Sequence, residues 1–184
     1  MKLVSVNVGG PQVHLWRGEN VRTSIFKSPV AGRVKVGATN IEGDQQSDRA
    51  VHGGTEKAVY AYPAEHYDWW RKELPDAEFP WGVFGENLTM EGLLEGKVHI
   101  GDRIRAGTAE FIVTQPRTPC FKLAIRFGRP DIVKRFHLSG RSGFYLSVAK
   151  EGDVAAGDPV QVLSKGKGGA TVAEVFGRYP LEDD

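Results

Sequence analysis

The sequence contains very little cysteine: Cys120 is the one such residue in a chain of 184. A lone cysteine cannot form a disulfide within the chain, which excludes a small secreted fold held together by disulfides. Long hydrophobic runs are also missing, since no window approaches the roughly 18 apolar residues of a membrane-spanning helix and the N-terminal apolar run is too short for a signal peptide. The formal net charge is only +1, so nothing global indicates nucleic acid or a membrane as a partner. The sequence therefore predicts a cytoplasmic protein without either partner.

Glycine and proline are frequent instead, with 23 and 10 residues at short intervals. This spacing is typical of many short strands joined by tight turns. Residues 2–8 alternate, with Val4, Val6 and Val8 on one side, as expected of a strand with one buried face. The same reasoning predicts further strands at residues 21–30, 32–37, 57–63, 87–94, 98–107, 108–116, 143–149 and 159–164.

The period changes at residues 64–74, where Tyr67, Trp70 and Leu74 fall at i, i+3 and i+7. That spacing predicts a helix with Pro63 near its first turn. Two shorter helices are predicted after the cysteine, at residues 120–127 and 130–138.

Gly-Asp pairs at 101–102 and 157–158 each precede an apolar alternation and indicate turns that open strands. Thr171 and Glu174 form a capping-box pattern at the start of a short terminal helix. The predicted fold class is mainly β, a β-rich α+β domain of barrel-like form with a few short helices. We expect this domain to occupy residues 1–164, followed by a linker and a short helical stub over residues 165–184.

Cys120 follows Pro119 and lies among Arg117, Lys122 and Arg126. Most free cysteines are small buried hydrophobes, and these flanking residues alone leave that role open. The alternative is a thiolate, because cationic neighbours and a helix N-terminus both lower the pKa of a thiol. A thiolate is a good soft metal ligand and a good nucleophile.

A second polar cluster occupies residues 43–63. It combines carboxylates, cations and glycines, which are Asp44, Asp48, Arg49, His52, Gly53, Gly54, Thr55 and Lys57. Backbone N–H groups at a Gly-Gly pair, with a hydroxyl and an ammonium beside them, suit an anion. The spacing is not that of a Walker A loop, and a solvated surface loop is the other interpretation.

Asn87 and Thr89 lie two residues apart and therefore on one face of the strand predicted there. Such a pair either hydrogen-bonds one ligand or is simply solvated.

His52 and Cys120 leave two further possibilities open, a shared zinc ion or a Cys–His nucleophilic pair. The zinc alternative lacks the CxxC or HxxxH spacing that usually accompanies such a site.

Six phrases occur in a fixed order along the chain: GDQQSDRAVHGG, KAVYAYP followed by EHY and WW, FGENLT, IGD, TQPRTPC and AGD. Each phrase is weak alone, but their order and spacing resemble the MOSC family, named after the C-terminal domain of molybdenum cofactor sulfurases. The resemblance covers residues 1–164 and is closest to the YiiM-type bacterial branch.

The resemblance implies a β-rich barrel-like fold and a molybdenum cofactor, molybdopterin, bound near one functional cysteine. It also implies relatives that reduce N-hydroxylated compounds, among them the mitochondrial amidoxime reducing component. Cys120 matches the family's cysteine and would be the metal ligand, with His52 or Asp48 as proton donor. The residues expected to hold the cofactor are Arg49, Gly53, Gly54, Thr55, Lys57, Asn87, Thr89, Arg117, Thr118, Lys122 and Arg126.

The function expected from this resemblance is reduction of a hydroxylaminopurine, a hydroxylamine or an amidoxime, with electrons from a separate donor protein. Two alternatives stay open: a molybdopterin or sulfur carrier without turnover, and a cofactor-free Cys–His hydrolase or acyl-transfer enzyme. YiiM-type proteins often continue into a small helical domain, and residues 171–184 are too few for three helices. An electron donor that uses that domain would have to dock differently here.

Overall fold

Short strands make up most of the fold. The computed structural model describes residues 1–46 and 54–181. The strands are β1 (Lys2–Val8), β2 (Gln12–Trp16), β3 (Glu19–Thr23), β4 (Ser28–Pro29), β5 (Val34–Val36), β6 (Val59–Pro63), β7 (Leu88–Glu91), β8 (Arg103–Ala106), β9 (Ala109–Pro116), β10 (Phe144–Lys150), β11 (Gly152–Val154) and β12 (Val160–Ser164). The helices are α1 (Glu65–Glu73), α2 (Phe121–Phe127), α3 (Ile132–Ser139) and α4 (Val172–Phe176), with a 3₁₀ turn at Thr55–Lys57.

Eight strands form one sheet in the order β12-β8-β9-β10-β6-β7-β1-β4. Neighbouring strands are antiparallel except β6 and β7, which are parallel and are joined through α1, as a parallel pair requires a crossover. The β-rich fold class is confirmed, although the sheet is not a continuously closed barrel. Its two ends still approach each other, because the Leu3 N–H donates to the Asp158 carbonyl over 2.9 Å and the Gly157 N–H donates to the Leu3 carbonyl over 2.7 Å.

Two hydrophobic clusters form the core. The first fills the curved sheet with aliphatic side chains and Phe111. The second is aromatic and lies between the sheet and the helices, where Tyr62, Trp70 and Phe84 are fully buried. The Trp70 indole N–H donates to the Tyr62 hydroxyl over 2.7 Å, which satisfies both polar groups inside the cluster. Each buried ring contributes on the order of 1.5–3 kcal/mol through its burial alone.

The helix predicted at residues 64–74 is confirmed as α1, and its predicted apolar stripe of Tyr67, Trp70 and Leu74 is buried. Both predicted short helices after the cysteine are present as α2 and α3. Gly128 ends α2 with a φ of 64°, a left-handed conformation that glycine adopts without the Cβ penalty. Across the described residues, the structure contains no helix of the length and apolarity needed to span a membrane.

The segment predicted as one strand at residues 21–30 is divided into β3 and β4. Between them the Lys27 N–H bonds the Ile25 carbonyl over 3.1 Å, and the Ile25 N–H bonds the Thr23 hydroxyl over 3.2 Å. These local bonds replace the sheet ladder and turn the Ile25 and Lys27 side chains inward. The backbone at Phe26 can pass this close to residue 9 because that residue is glycine. A Cβ there would lie only 2.2 Å from the Phe26 carbonyl oxygen.

The C-terminal segment packs on the sheet. The predicted capping box is present, since the Thr171 hydroxyl accepts from the Glu174 N–H and the Glu174 carboxylate accepts from the Thr171 N–H. Val172 joins the first core cluster, and Phe176 is also buried. The predicted Gly-Asp turn before β8 is tied to the same region, because Asp102 accepts from the Gly166 N–H over 2.9 Å.

Candidate functional site

One open pocket gathers residues from several separate segments. Its cavity volume is about 110 Å³. Its walls come from segments within residues 23–27, 44–46, 57–60 and 84–87, from the loop between β9 and α2, from Lys122 in the first turn of α2, and from Tyr145. Six of the residues proposed above to catalyse or to hold a cofactor line this pocket: Lys57, Asn87, Arg117, Thr118, Cys120 and Lys122. The structure therefore brings Cys120 and the described part of the 43–57 loop together around one cavity.

Cys120 is the residue immediately before α2. Its backbone is extended, with φ −135° and ψ 168°, and its carbonyl accepts the Leu123 N–H over 2.9 Å. Pro116 ends β9 and Pro119 precedes the cysteine, which restricts the backbone of the intervening loop. The side chain is partly exposed, so Cys120 is not one of the small buried hydrophobes of the core.

Arg117 is the most unusual cation of the pocket, because it is only 5% exposed. Its guanidinium carbon lies 5.2 Å from the Tyr60 ring centroid and 5.1 Å from that of Phe136. Burial alone would lower the pKa of Arg117, but its interactions with Tyr60, Tyr145 and Cys120 outweigh burial and raise the pKa overall. The guanidinium is therefore charged at any physiological pH.

The buried Nη1 of Arg117 has no hydrogen-bond partner among the described residues. Leaving a buried donor without a partner costs on the order of 1–3 kcal/mol, and more for a charged group. An anion in the pocket would satisfy this donor, and Lys57 and Lys122 line the same pocket. The residues present thus fit a ligand with a phosphate and a second negative centre.

A buried ion pair, Lys27 and Asp44, forms another part of the wall. Asp44 also accepts the Gly9 N–H over 2.9 Å. Burial lowers the pKa of Lys27, and the nearby Asp44 carboxylate only partly opposes this. No sequence pattern singles out Lys27, because it lies in a segment of mixed polarity and its partner comes from a different loop.

The side chain of Asn87 lines the pocket but is engaged with backbone groups. Its Oδ1 accepts the Tyr60 N–H over 3.1 Å, and its Nδ2 donates to the Asn7 carbonyl over 3.3 Å. Gln46 acts in a similar way, since its Nε2 donates to the Lys57 carbonyl over 3.2 Å and its Oε1 accepts the Gly54 N–H over 3.3 Å. Both amides therefore position the strand ends around the cavity.

Thr89 lies outside the pocket, contrary to the prediction that it shares a ligand with Asn87. The side chain is fully buried. Its hydroxyl donates to the Glu86 carboxylate over 2.9 Å and accepts from the Asn7 amide over 3.1 Å. Because both functions of the hydroxyl are used inside the protein, its placement does not match a cofactor contact.

Arg126 also lies outside the pocket lining. Its guanidinium carbon is 5.0 Å from the Phe26 ring centroid, and its buried Nε has no hydrogen-bond partner among the described residues. Burial lowers the pKa of Arg126, and the Glu86 carboxylate opposes this. Because Arg126 is absent from the pocket lining, its position does not support the expected direct contact with a cofactor.

The remaining predicted residues belong to the 43–57 loop. Gly54 and Thr55 are exposed at the 3₁₀ turn and do not line the cavity. Asp48, Arg49, His52 and Gly53 lie outside the described residues. Their catalytic and cofactor-binding roles stay predictions.

Glu86 organises the turn that forms one wall. It is fully buried and accepts four hydrogen bonds, from the Gly82 N–H over 2.8 Å, the Phe84 N–H over 3.1 Å, the Thr89 hydroxyl and the Tyr67 hydroxyl. Burial raises the pKa of Glu86, although these hydrogen bonds oppose the shift. In the sequence, the sign that Glu86 matters is its place in the phrase FGENLT, between Gly85 and Asn87.

This fold and this pocket agree with a known protein family. The sequence model of the MOSC domain matches residues 48–161, and the chain belongs to the MOSC domain family. It is similar to the uncharacterized protein YflK of Bacillus subtilis strain 168, with 42% identity over 170 residues that cover 92% of this chain and 76% of YflK.

Two further comparisons bear on structure and chemistry. The crystal structure of YiiM from Geobacillus stearothermophilus matches with a TM-score of 0.78 and 38% identity, over 95% of this chain and 81% of that chain. A protein of Gibberella moniliformis named Reductase is 36% identical over 151 residues, which are 80% of this chain and 27% of that protein. The predicted YiiM-type membership of the MOSC family is confirmed.

Proposed function

We propose that the protein binds a molybdenum cofactor in the Cys120 pocket and reduces N-hydroxylated compounds. The observation that carries the proposal is the pairing of a partly exposed Cys120 with a buried Arg117 whose Nη1 has no partner among the described residues. Membership of the MOSC family agrees with a function related to this cofactor, and one similar protein is named a reductase.

The pocket residues match the parts of such a cofactor. Molybdopterin carries a phosphate and a negatively charged dithiolene-metal centre. Arg117 would bind the phosphate through Nη1, the donor that has no partner among the described residues, because charge-assisted hydrogen bonds to phosphate are strong. Lys57 and Lys122 would balance charge, and Cys120 would supply a soft thiolate ligand to the metal. When bound, the cofactor supplies two-electron transfer.

The reaction that we propose is cleavage of an N–O bond, in which R–NHOH, two electrons and two protons give R–NH₂ and water. The electrons come from a separate donor protein. The protein must deliver a proton to the departing oxygen. Asp48 and His52 are proposed for this role, and Lys27 is a third candidate, because it lines the pocket and burial lowers the pKa of its ammonium group.

The test begins with protein produced in a host that synthesises the cofactor. Metal analysis should find molybdenum in the purified protein, and a chemical or protein electron donor should then support reduction of a hydroxylaminopurine or an amidoxime. Molybdenum without turnover would favour the carrier alternative. Ester hydrolysis by metal-free protein, abolished by thiol alkylation, would favour a Cys–His hydrolase. Either of these results would overturn the reductase proposal.

A further inference from the structure

A second recess reaches Cys120 from the side of the C-terminal segment. Its volume is about 190 Å³, and its lining includes Thr118, Cys120, Phe121, Val133, His137 and Tyr179. Thr118 and Cys120 line the first pocket as well. The cysteine therefore borders two cavities, of which the proposed cofactor needs only one.

The two cavities differ in chemistry. The first pocket is lined by Lys27, Lys57, Arg117 and Lys122. Among the described residues that line the recess there is no lysine, arginine, aspartate or glutamate, and its surface is formed largely by rings, prolines and aliphatic groups. Phe121 is 46% exposed and Tyr179 is 39% exposed. A charged cofactor is suited to the first pocket, whereas an uncharged flat ring is suited to the recess.

The wall that carries Tyr179 is held by α4. Phe176, in the last turn of α4, is buried, and its ring centroid lies 5.1 Å from that of His137. The Tyr179 N–H donates to the Phe176 carbonyl over 3.0 Å, so the tyrosine follows directly from the buried helix. Its position beside the recess is therefore set by packing and hydrogen bonding of the segment that precedes it.

We propose that the recess is the subsite for the ring of the substrate, an uncharged aromatic or heteroaromatic group that carries the N-hydroxyl function. The ring would lie against Phe121 and Tyr179, with the N–O bond directed towards the Cys120 side. This inference rests on the proposed function and deepens it. The chemical step is the N–O cleavage given above, with its electrons from the separate donor protein.

Cysteine alkylation provides a test that needs no cofactor. Because the chain has a single cysteine, mass spectrometry of protein treated with iodoacetamide reports Cys120 alone. Adenine or benzamide should slow alkylation several-fold in the cofactor-free protein. Tyr179→Ala should abolish this protection, and Tyr179→Phe should keep it. Leu138→Ala, an exposed position on α3 outside the recess lining, should also keep it.

Absence of protection in the wild type, or equal protection in Tyr179→Ala, would overturn the subsite. Thermal melting must show that Tyr179→Ala is folded. If it is not, Phe121→Ala, also at an exposed ring, replaces it with the same expected loss of protection.

Steady-state kinetics of the cofactor-loaded protein separate this inference from the proposed function. Tyr179→Ala should raise the KM for benzamidoxime about tenfold and leave the KM for hydroxylamine, which has no ring, unchanged. Equal KM values for benzamidoxime in the wild type and in Tyr179→Ala would overturn the subsite while the reductase proposal stands. Protection by adenine in a protein that reduces neither compound would overturn the reductase proposal alone.

Discussion

At the scale of single residues, Arg117 combines a full charge with burial between two rings and a donor that finds no partner among the described residues. We expect phosphate to raise the melting temperature of the cofactor-free protein by binding there. At ten times its Kd, phosphate would stabilise the fold by about 1.4 kcal/mol. Arg117→Met should remove this effect, because it keeps a long apolar side chain but loses the charge and the donors.

Arg126 supplies the matched control for this experiment. It is an arginine of the same region that stacks on a ring but does not line the pocket. Arg126→Met should therefore keep the phosphate effect on the melting temperature. If Arg117→Met responds to phosphate like the wild type, the pocket is not the anion site.

The second prediction at this scale concerns the thiol. Cys120→Ser changes a soft ligand into a hard one of almost the same size, so cofactor retention and N–O reduction should be lost. Because Cys120 is partly exposed, the free energy of unfolding should change by less than about 1 kcal/mol. Molybdenum content, turnover and thermal melting measured together check this. Full activity in the folded variant would show that the sulfur is not the metal ligand.

At the scale of elements, the turn at residues 82–87 depends on one buried carboxyl. Burial raises the pKa of Glu86, so the folded chain binds this proton more tightly than the unfolded chain does. The stability that results is complete below the unfolded pKa, near 4.5, and is lost as the pH rises through the higher folded pKa.

Glu86→Gln removes this titration while keeping the shape of the side chain. The free energy of unfolding of the wild type minus that of Glu86→Gln should therefore fall as the pH rises from about 4 to about 8. Urea unfolding at a series of pH values measures this difference. If the stability of the wild type relative to Glu86→Gln instead rises with pH, the hydrogen bonds to the carboxylate lower the pKa of Glu86 by more than burial raises it.

Local periodicity predicted the regular elements well where one face is buried. The stripe of α1 follows from the sequence, because that face packs on the aromatic cluster. The strand β1 is present, but its predicted buried side is wrong: Val4 and Val8 are only half-buried, whereas Leu3, Ser5 and Asn7 are buried beside Val6. The hairpin of β2 and β3 was not predicted as a pair, since nearly all of its residues are exposed or half-exposed. Val13 and Leu15 of β2 do alternate with Gln12 and His14, but both are exposed, so this pattern does not mark a face that packs on the core.

The candidate site was predictable in part, for a related reason. Cys120 and Lys57 stand out by residue type and neighbours, and both line the pocket. Strand alternation placed Asn87 and Thr89 on one face but could not show that Thr89 would be turned into the core. Lys27 depends on Asp44, 17 residues away in the chain, and Glu86 adds Tyr67, 19 residues away, to its local partners. Only folding brings these distant partners close.

At the scale of the whole molecule, the C-terminal segment contributes to the core as well as to the recess. Val172 and Phe176 are buried against the sheet and α3. Phe176→Ala should lower the free energy of unfolding by about 3–5 kcal/mol, the usual cost of removing a buried phenylalanine. The exposed Arg178→Ala should change it by no more than about 0.5 kcal/mol. Chemical denaturation of both variants checks the difference, and a small effect of Phe176→Ala would mean that the segment is only loosely attached.

The hydrogen bonds between Leu3 and residues 157–158 join β1, the first strand in the chain, to the turn just before β12, the last strand in the chain. During translation β1 leaves the exit tunnel before β7 has been made, and long before residues 157–158 have been made. During that interval the unpaired edge of β1 is a site for wrong strand pairing. The protein must therefore complete its sheet after most of the chain has been translated, and a sheet with such distant pairings refolds slowly.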